Sequence, residues 1–457
     1  MSLAPLDRTR APEPGPLPAI VLPDLRRFSL SNGLPVLLAE KHELPLVAIE
    51  VLCPGGAGAV APARAGLASF TADMLDEGAG ERSALAFAAE LERLGASLHT
   101  GAGYDGSHVE MLVLKPRLEE GLDLLADLLL RPTFPEHDLE RVRRERIDLA
   151  LQLLDQPSSV ANDVLAGVLY GAGHPWGPPL LGTGATLTGL GRADVVAYHV
   201  ERYHAGNATV VVAGDVTASE LEALLEPRLG GWRRGTASPV SLPPAPAVEH
   251  ATIHLVDRPG AAQSEIRVGR VALARASEDY FTALVLNTVL GGAFTSRLNA
   301  KLREEKGFTY GAYSGFHTRS APGPFVAQAA VHTPVTHHAV GVFLEEIERL
   351  REEPVPEDEL ARAKSYAALR LPQRFETVED LVARVAEQVL YDLPDDYWRT
   401  YVTKLLAVDA AAVQAAARRH LDPRHMAVVV DGDREAVEGP LKSMGLPVAT
   451  VTAGVAA

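Results

Sequence analysis

The sequence predicts an α+β protein of two similar domains, each a mixed, mainly antiparallel sheet packed with helices. Three observations carry that prediction. A strand, Gly-Asp turn and helix pattern occurs twice. Strands and helices alternate within each half. A stiff Pro-rich stretch divides the halves. Tyr203 to Asp215 holds the first copy, Thr209-Val210-Val211-Val212-Ala213-Gly214-Asp215, and runs into a helical stretch from Ala218 to Leu229. Arg419 to Asp433 holds the second, Ala427-Val428-Val429-Val430-Asp431-Gly432-Asp433, and runs into a helix over Glu435 to Met444. A further pair agrees: the strand Leu46–Leu52 leads to a helix from Gly66, and the strand Glu265–Leu273 leads to a helix from Asp279. A repeat of so long a period means two domains, not a solenoid.

The elements follow in order. Residues 1–23 read as a tail rich in proline (Pro5, Pro12, Pro14, Pro16, Pro18, Pro23), a composition that predicts an extended, loosely held segment. The first domain takes residues 24–232. In it Ser83–Leu94 reads as a helix with a serine N-cap and Gly95 at its exit. Leu98–Leu114 reads as two strands about Gly101–Gly106, and Gly121–Leu130 and His137–Leu154 as helices. Residues 233–250 contain Ser238-Pro239-Val240-Ser241-Leu242-Pro243-Pro244-Ala245-Pro246, a linker by composition. The second domain, 251–446, repeats the order. Phe281–Leu290 and Thr295–Glu305 read as helices, Tyr310–Phe316 and Phe325–His332 as strands, and His338–Arg351 and Glu357–Leu371 as helices. Residues 447–457 are a second tail.

Composition narrows the function. The chain has 457 residues, 47% hydrophobic and 22% charged, enough for full cores without staples. A net charge of −16 argues against a general nucleic-acid binder, which needs a basic face. The single cysteine, Cys53, excludes an internal disulfide framework and a Cys-based zinc site. No apolar run is long enough to cross a bilayer as a helix. The opening tail fits a cytoplasmic N-terminus and equally a periplasmic chain whose signal peptide has been removed.

Two stretches carry candidate chemistry. Gly291-Gly292-Ala293-Phe294-Thr295-Ser296-Arg297-Leu298 ends one helix and opens another. Its glycines let backbone N–H groups approach a ligand, and the same pattern serves as a tight interhelical turn. In Lys301-Leu302-Arg303-Glu304-Glu305-Lys306-Gly307-Phe308-Thr309-Tyr310, Arg303 falls in the last turn of a helix that Gly307 ends, and Tyr310 starts a strand. A guanidinium and a phenol at one sheet edge can hold a peptide carbonyl or the oxyanion formed from it. The plainer reading is a solvated helix end and a half-buried strand aromatic. His174, in Gly173-His174-Pro175-Trp176-Gly177, reads as a loop residue. The sequence has no His-Glu-x-x-His, no His-x-x-Glu-His and no Gly-x-Ser-x-Gly.

Taken together, these residues resemble the M16 (pitrilysin-like, mitochondrial processing peptidase-like) zinc metallopeptidases over nearly the whole chain. The markers, in order, are Ser31-Asn32-Gly33-Leu34, Gly66-Leu67-Ala68, Gly173 to Gly177, Tyr203 with Gly214-Asp215, Leu290-Gly291-Gly292 to Ser296-Arg297-Leu298, and Leu302-Arg303 to Gly307-Phe308-Thr309-Tyr310. The resemblance implies a clam-like pair of domains. In active members Gly-Leu-Ala is followed by His-x-x-Glu-His, whose imidazoles bind zinc and whose Glu is the general base. Here those positions read Ser69, Phe70, Thr71, Ala72 and Asp73, and the region expected to carry the last ligand, 147–151, has no Glu. The motif is degenerate at Ser69, Ala72 and Asp73, so no zinc is expected on this chain.

Arg303 and Tyr310, seven apart, match the pair with which the family grips substrate and stabilises the tetrahedral intermediate. Gly291 and Gly292 are expected near substrate. The resemblance therefore implies a non-zinc subunit that pairs with a zinc-bearing homologous chain, or forms a homodimer when isolated, and supplies Arg303 and Tyr310 for peptide hydrolysis. The alternative is a scaffold or peptide-binding protein of the respiratory core-protein kind, with no part in proteolysis.

Overall fold

A computed structural model describes Thr9 and residues 23–452. The rest of the opening tail and residues 453–457 lie outside the described residues. The first half contains β1 (Leu25–Ser29), β2 (Pro35–Glu40), β3 (Leu46–Pro54), a two-strand ladder of β4 (Gly78–Ala79) and β5 (Arg82–Ser83), β6 (Ser97–Ala102), β7 (Gly106–Leu114) and β8 (Thr209–Gly214). The second contains β9 (Thr252–Asp257), β10 (Gln263–Leu273), β11 (Ala312–Phe316), β12 (Gly323–His332), β13 (Ala427–Gly432) and β14 (Val448–Val451). The first sheet runs β1-β2-β8-β3-β7-β6 and the second β11-β12-β10-β13-β9-β14. Only β2–β8, β13–β9 and β14–β9 pair in parallel, so both sheets are mixed and mainly antiparallel. β14 lies where a tail was expected. The β-branched Val448, Thr450 and Val451 suit an edge strand.

The central strands are buried on both faces, and alternation decides what covers each. In β8, Val210 and Val212 face the first half's own core, with Phe70, Leu125 and Leu139. Val211 and Ala213 face the other way, onto Leu381, Val382 and Val385. Those three lie on the helix Val378–Leu390, which the chain reaches only after completing most of its second half. The converse holds for β13. Val428 and Val430 enter the second half's core, while Ala427 and Val429 meet Ala161, Leu165 and Leu169 of the helix Pro157–Tyr170. Each half thus lends one helix to cover the other's sheet.

Residues 233–250 hold no helix or strand. They are not loose, since Leu242, Ala245 and Val248 pack beside Trp176. The hairpin between β6 and β7 also crosses over. Asp105 accepts from Ser320 N at 3.1 Å and from Tyr391 Oη at 3.1 Å, and Tyr104 lies under the Arg319 guanidinium at 3.3 Å.

Candidate functional site

The motif helix is Leu67–Asp73. Gly66 precedes it at φ +91°, and a Cβ there would sit 2.6 Å from Leu181 O. The glycine is thus required for the helix to start against the loop at Leu181. Ser69 and Asp73, one turn apart, point to the same neighbour, Arg146 on the helix Glu136–Leu154. Arg146 Nη1 donates to Asp73 Oδ2, while Nη2 donates to Ser69 Oγ at 2.6 Å and to Leu181 O at 2.8 Å. Ser69 Oγ in turn donates to Leu180 O at 2.8 Å. The guanidinium lies 5.6 Å from the Phe70 ring centre. Ala72 is fully buried. Burial raises the Asp73 carboxyl above its ordinary range against the pull of Arg146, and burial lowers Arg146 against the pull of Asp73.

A guanidinium therefore fills the space between the two motif positions. One hydroxyl and one carboxylate, both bonded to that cation, do not fit a zinc ion, which takes deprotonated His, Cys or carboxylate ligands around an open centre. Among the described residues no group of three His, Cys, Asp or Glu side chains could hold a metal ion. The last-ligand region was expected at 147–151, but the residue that meets Ser69 and Asp73 is Arg146. Its signal was readable. Arg146 follows Leu139, Val142 and Arg143 at helical spacing on the buried face of its helix.

The second candidate lies in the other half. The helix Tyr280–Asn287 passes into a π turn, Thr288–Gly292. A Cβ on Gly291 would meet Ser314 N at 2.5 Å, and one on Gly292 would meet Asn287 Nδ2 at 2.7 Å. Both glycines thus let this turn press against β11 and itself. Ser296 opens the short helix Arg297–Asn299, which continues as a second π turn, Ala300–Glu305, carrying Arg303. π turns in this position often accompany functional sites. The Arg303 guanidinium lies 4.4 Å from the Phe294 ring centre, with Nη1 3.3 Å from Glu304 Oε1. Gly307, at φ +64°, ends the turn. Tyr310 does not begin the strand. It precedes β11, in a tight turn where Thr309 Oγ1 accepts from Gly311 N at 3.1 Å. The Tyr310 side chain is therefore 90% exposed, not half-buried.

His174 takes the structural role. It is buried, its Nδ1 accepts from Trp176 N at 3.0 Å, and its ring packs against Tyr170 and Trp176. Desolvation lowers its pKa.

Comparison with known proteins gives the family. The family model described as "Insulinase (Peptidase family M16)" matches residues 35–168, and the one described as "Peptidase M16 inactive domain" matches residues 189–366. The chain belongs to the M16 peptidase family. It is 24% identical over 396 residues to the Bacillus subtilis "Uncharacterized zinc protease YmxG", covering 86% of this chain and 95% of that one. It is 23% identical over 398 residues to the Helicobacter pylori "Non-peptidase homolog YmxG", covering 85% and 89%. Among solved structures, a peptidase M16 inactive domain from Pseudomonas fluorescens superposes with a TM-score of 0.83 at 25% identity, over 90% of this chain and 98% of that one. This M16 chain is of the inactive type. Its sequence has no His-x-x-Glu-His.

Proposed function

We propose that the chain is the non-zinc subunit of a two-chain M16 peptidase, pairing with a zinc-bearing homologue and completing its site with Arg303 and Tyr310. The observation that carries this reading is the contrast between the two sites. In the first half the ligand positions are closed by a buried arginine. In the second, Tyr310 projects into solvent and the Arg303 guanidinium rests on an exposed ring, Phe294. A phenol so exposed contributes nothing to the fold of its own chain but can act on a molecule brought to it. In the assembled peptidase the Arg303 N–H groups donate to the carbonyl oxygen of the scissile peptide and hold the charge that develops there. The Tyr310 O–H donates a second hydrogen bond. Hydrolysis itself belongs to the zinc-bearing subunit.

The test is a peptide-cleavage assay with that homologue. Arg303→Ala and Tyr310→Phe are each expected to lower kcat by about 100-fold, the loss typical of one such donor, with complex formation unchanged by size exclusion. Full activity in the double variant, or a partner that itself lacks His-x-x-Glu-His, would favour the scaffold reading instead.

A further inference from the structure

On the first half lies an open cavity of about 570 Å³ that includes none of the motif residues. It sits between the end of the helix Leu118–Leu130, the helix Arg192–Arg202 and the turn at 231–233. Leu130, Val196 and Val200 give it an apolar wall. Phe134, His199 and Tyr203 also line it, as one cluster of rings. His199 stacks on Tyr203 with ring centres 5.1 Å apart and meets Phe134 edge-on at 5.5 Å. His199 Nε2 donates to Leu129 O at 3.0 Å. Burial keeps that ring neutral, with its pKa lowered to about 4.

The charged groups of the cavity are all of one sign. Arg131, Arg192 and Arg233 line it, and no Asp or Glu does. In a chain of net charge −16 that is a local reversal. Arg192 is fixed by main-chain carbonyls alone. Its Nε donates to Phe134 O at 2.7 Å and its Nη2 to Thr133 O at 2.9 Å, so no carboxylate neutralises it and Nη1 stays free among the described residues. The Arg233 side chain makes no hydrogen bond or ion pair among the described residues. Arg131 pairs with Asp127, but Arg82 binds the same carboxylate at 2.6 Å, so one negative charge answers two positive ones. Trp232 adds a neutral donor. It is 4% exposed and lines the cavity, and its indole N–H makes no hydrogen bond among the described residues, yet is not one of the sealed, unpaired atoms of the core. Free guanidinium groups and an N–H beside an apolar wall suit an anion with an apolar body. With no carboxylate of its own, the cavity favours two negative charges over one.

We propose that this cavity binds a small organic dianion, with the charged head held by Arg192, Arg233 and the Trp232 N–H and the apolar body laid against Leu130, Val196 and Val200. Two carboxylates or one phosphate monoester present that chemistry. The site stands on the cavity alone and does not require the chain to serve in proteolysis.

The experiment is calorimetric titration of the full chain with four probes. Phenyl phosphate and isophthalate are the dianions, benzyl alcohol is the apolar body alone, and inorganic phosphate is the charge alone. At least one dianion should bind about ten-fold or more tightly than either control. The same dianion should shift the tryptophan emission, and Trp232→Phe should remove that shift. Arg233→Gln, at a side chain that bonds to nothing among the described residues, should weaken its binding by about five-fold or more. Dianions bound no better than benzyl alcohol, or no better than inorganic phosphate, would overturn the proposal, as would unchanged affinity in Arg233→Gln. The comparison among probes uses the wild-type chain and does not depend on any variant folding.

Discussion

At the scale of single residues, the first half turns on Arg146. Its guanidinium joins Asp73, Ser69 and Leu181 O across two helices and a loop. Arg146→Met should lower unfolding free energy by about 1–3 kcal/mol, because it strands three acceptors at once. Asp73→Asn should cost less, since the Asp73 side chain keeps 42% of its exposure and solvent screens its share. Urea unfolding of the two variants measures the order. Glu50 makes a second prediction. Burial, with Glu110 opposite it on β7, pushes its carboxyl from 4.5 up to about 8. Between those values the folded chain holds a proton that the unfolded chain has lost, so stability falls as pH rises through that window. Glu50→Gln should flatten that slope and gain on the order of 2–4 kcal/mol at pH 8 relative to pH 5. Identical pH profiles for the two proteins would refute it.

At the scale of elements, the site is built on irregular helix. The two π turns, Thr288–Gly292 and Ala300–Glu305, fall where the sequence shows ordinary helical spacing, because apolar periodicity does not separate a wide turn from a regular one. In the first, Gly291 lies so close to Ser314 that a Cβ there would stand 2.5 Å from Ser314 N. Gly291→Ala should therefore destabilise by roughly 1–3 kcal/mol through overpacking, and it should weaken partner-dependent cleavage by displacing the strand next to Tyr310. The Gly-Asp repeats, the Ser83 cap and the strands β3 and β10 were legible because each is a local pattern. The exchanged helices were not. Pro157–Tyr170 and Val378–Leu390 look like any amphipathic segment, and which sheet they cover is a property of the fold. Arg146 was missed for a related reason. A cation standing in place of a metal ligand leaves no motif, and only its position on a buried helical face marks it.

At the scale of the molecule, the exchange of helices makes the halves interdependent. Leu165 sits on the first half's helix yet packs on Val326, Ala427 and Val429 of the second sheet. Leu165→Ala should cost about 2–4 kcal/mol, as for a buried leucine, and should loosen the second half as judged by hydrogen exchange. Cleavage of the backbone within residues 236–241 should leave the halves together on size exclusion, since the exchanged helices and the Asp105 hairpin hold them without the linker. The duplication that built both sheets has left two unlike sites. One is closed by its own arginine. The other is open, with Tyr310 exposed and the Arg303 guanidinium resting on the exposed Phe294 ring.

The central claim is that this chain cannot hold the metal of its family, because a guanidinium occupies the space between Ser69 and Asp73. Metal analysis of the purified chain after dialysis against zinc tests it most directly. The account predicts only trace, substoichiometric zinc in the wild-type chain, and uptake of zinc when Ser69→His, Ala72→Glu, Asp73→His and Arg146→Glu are made together. Stoichiometric zinc in the wild-type chain that is lost in Asp73→Ala would contradict it.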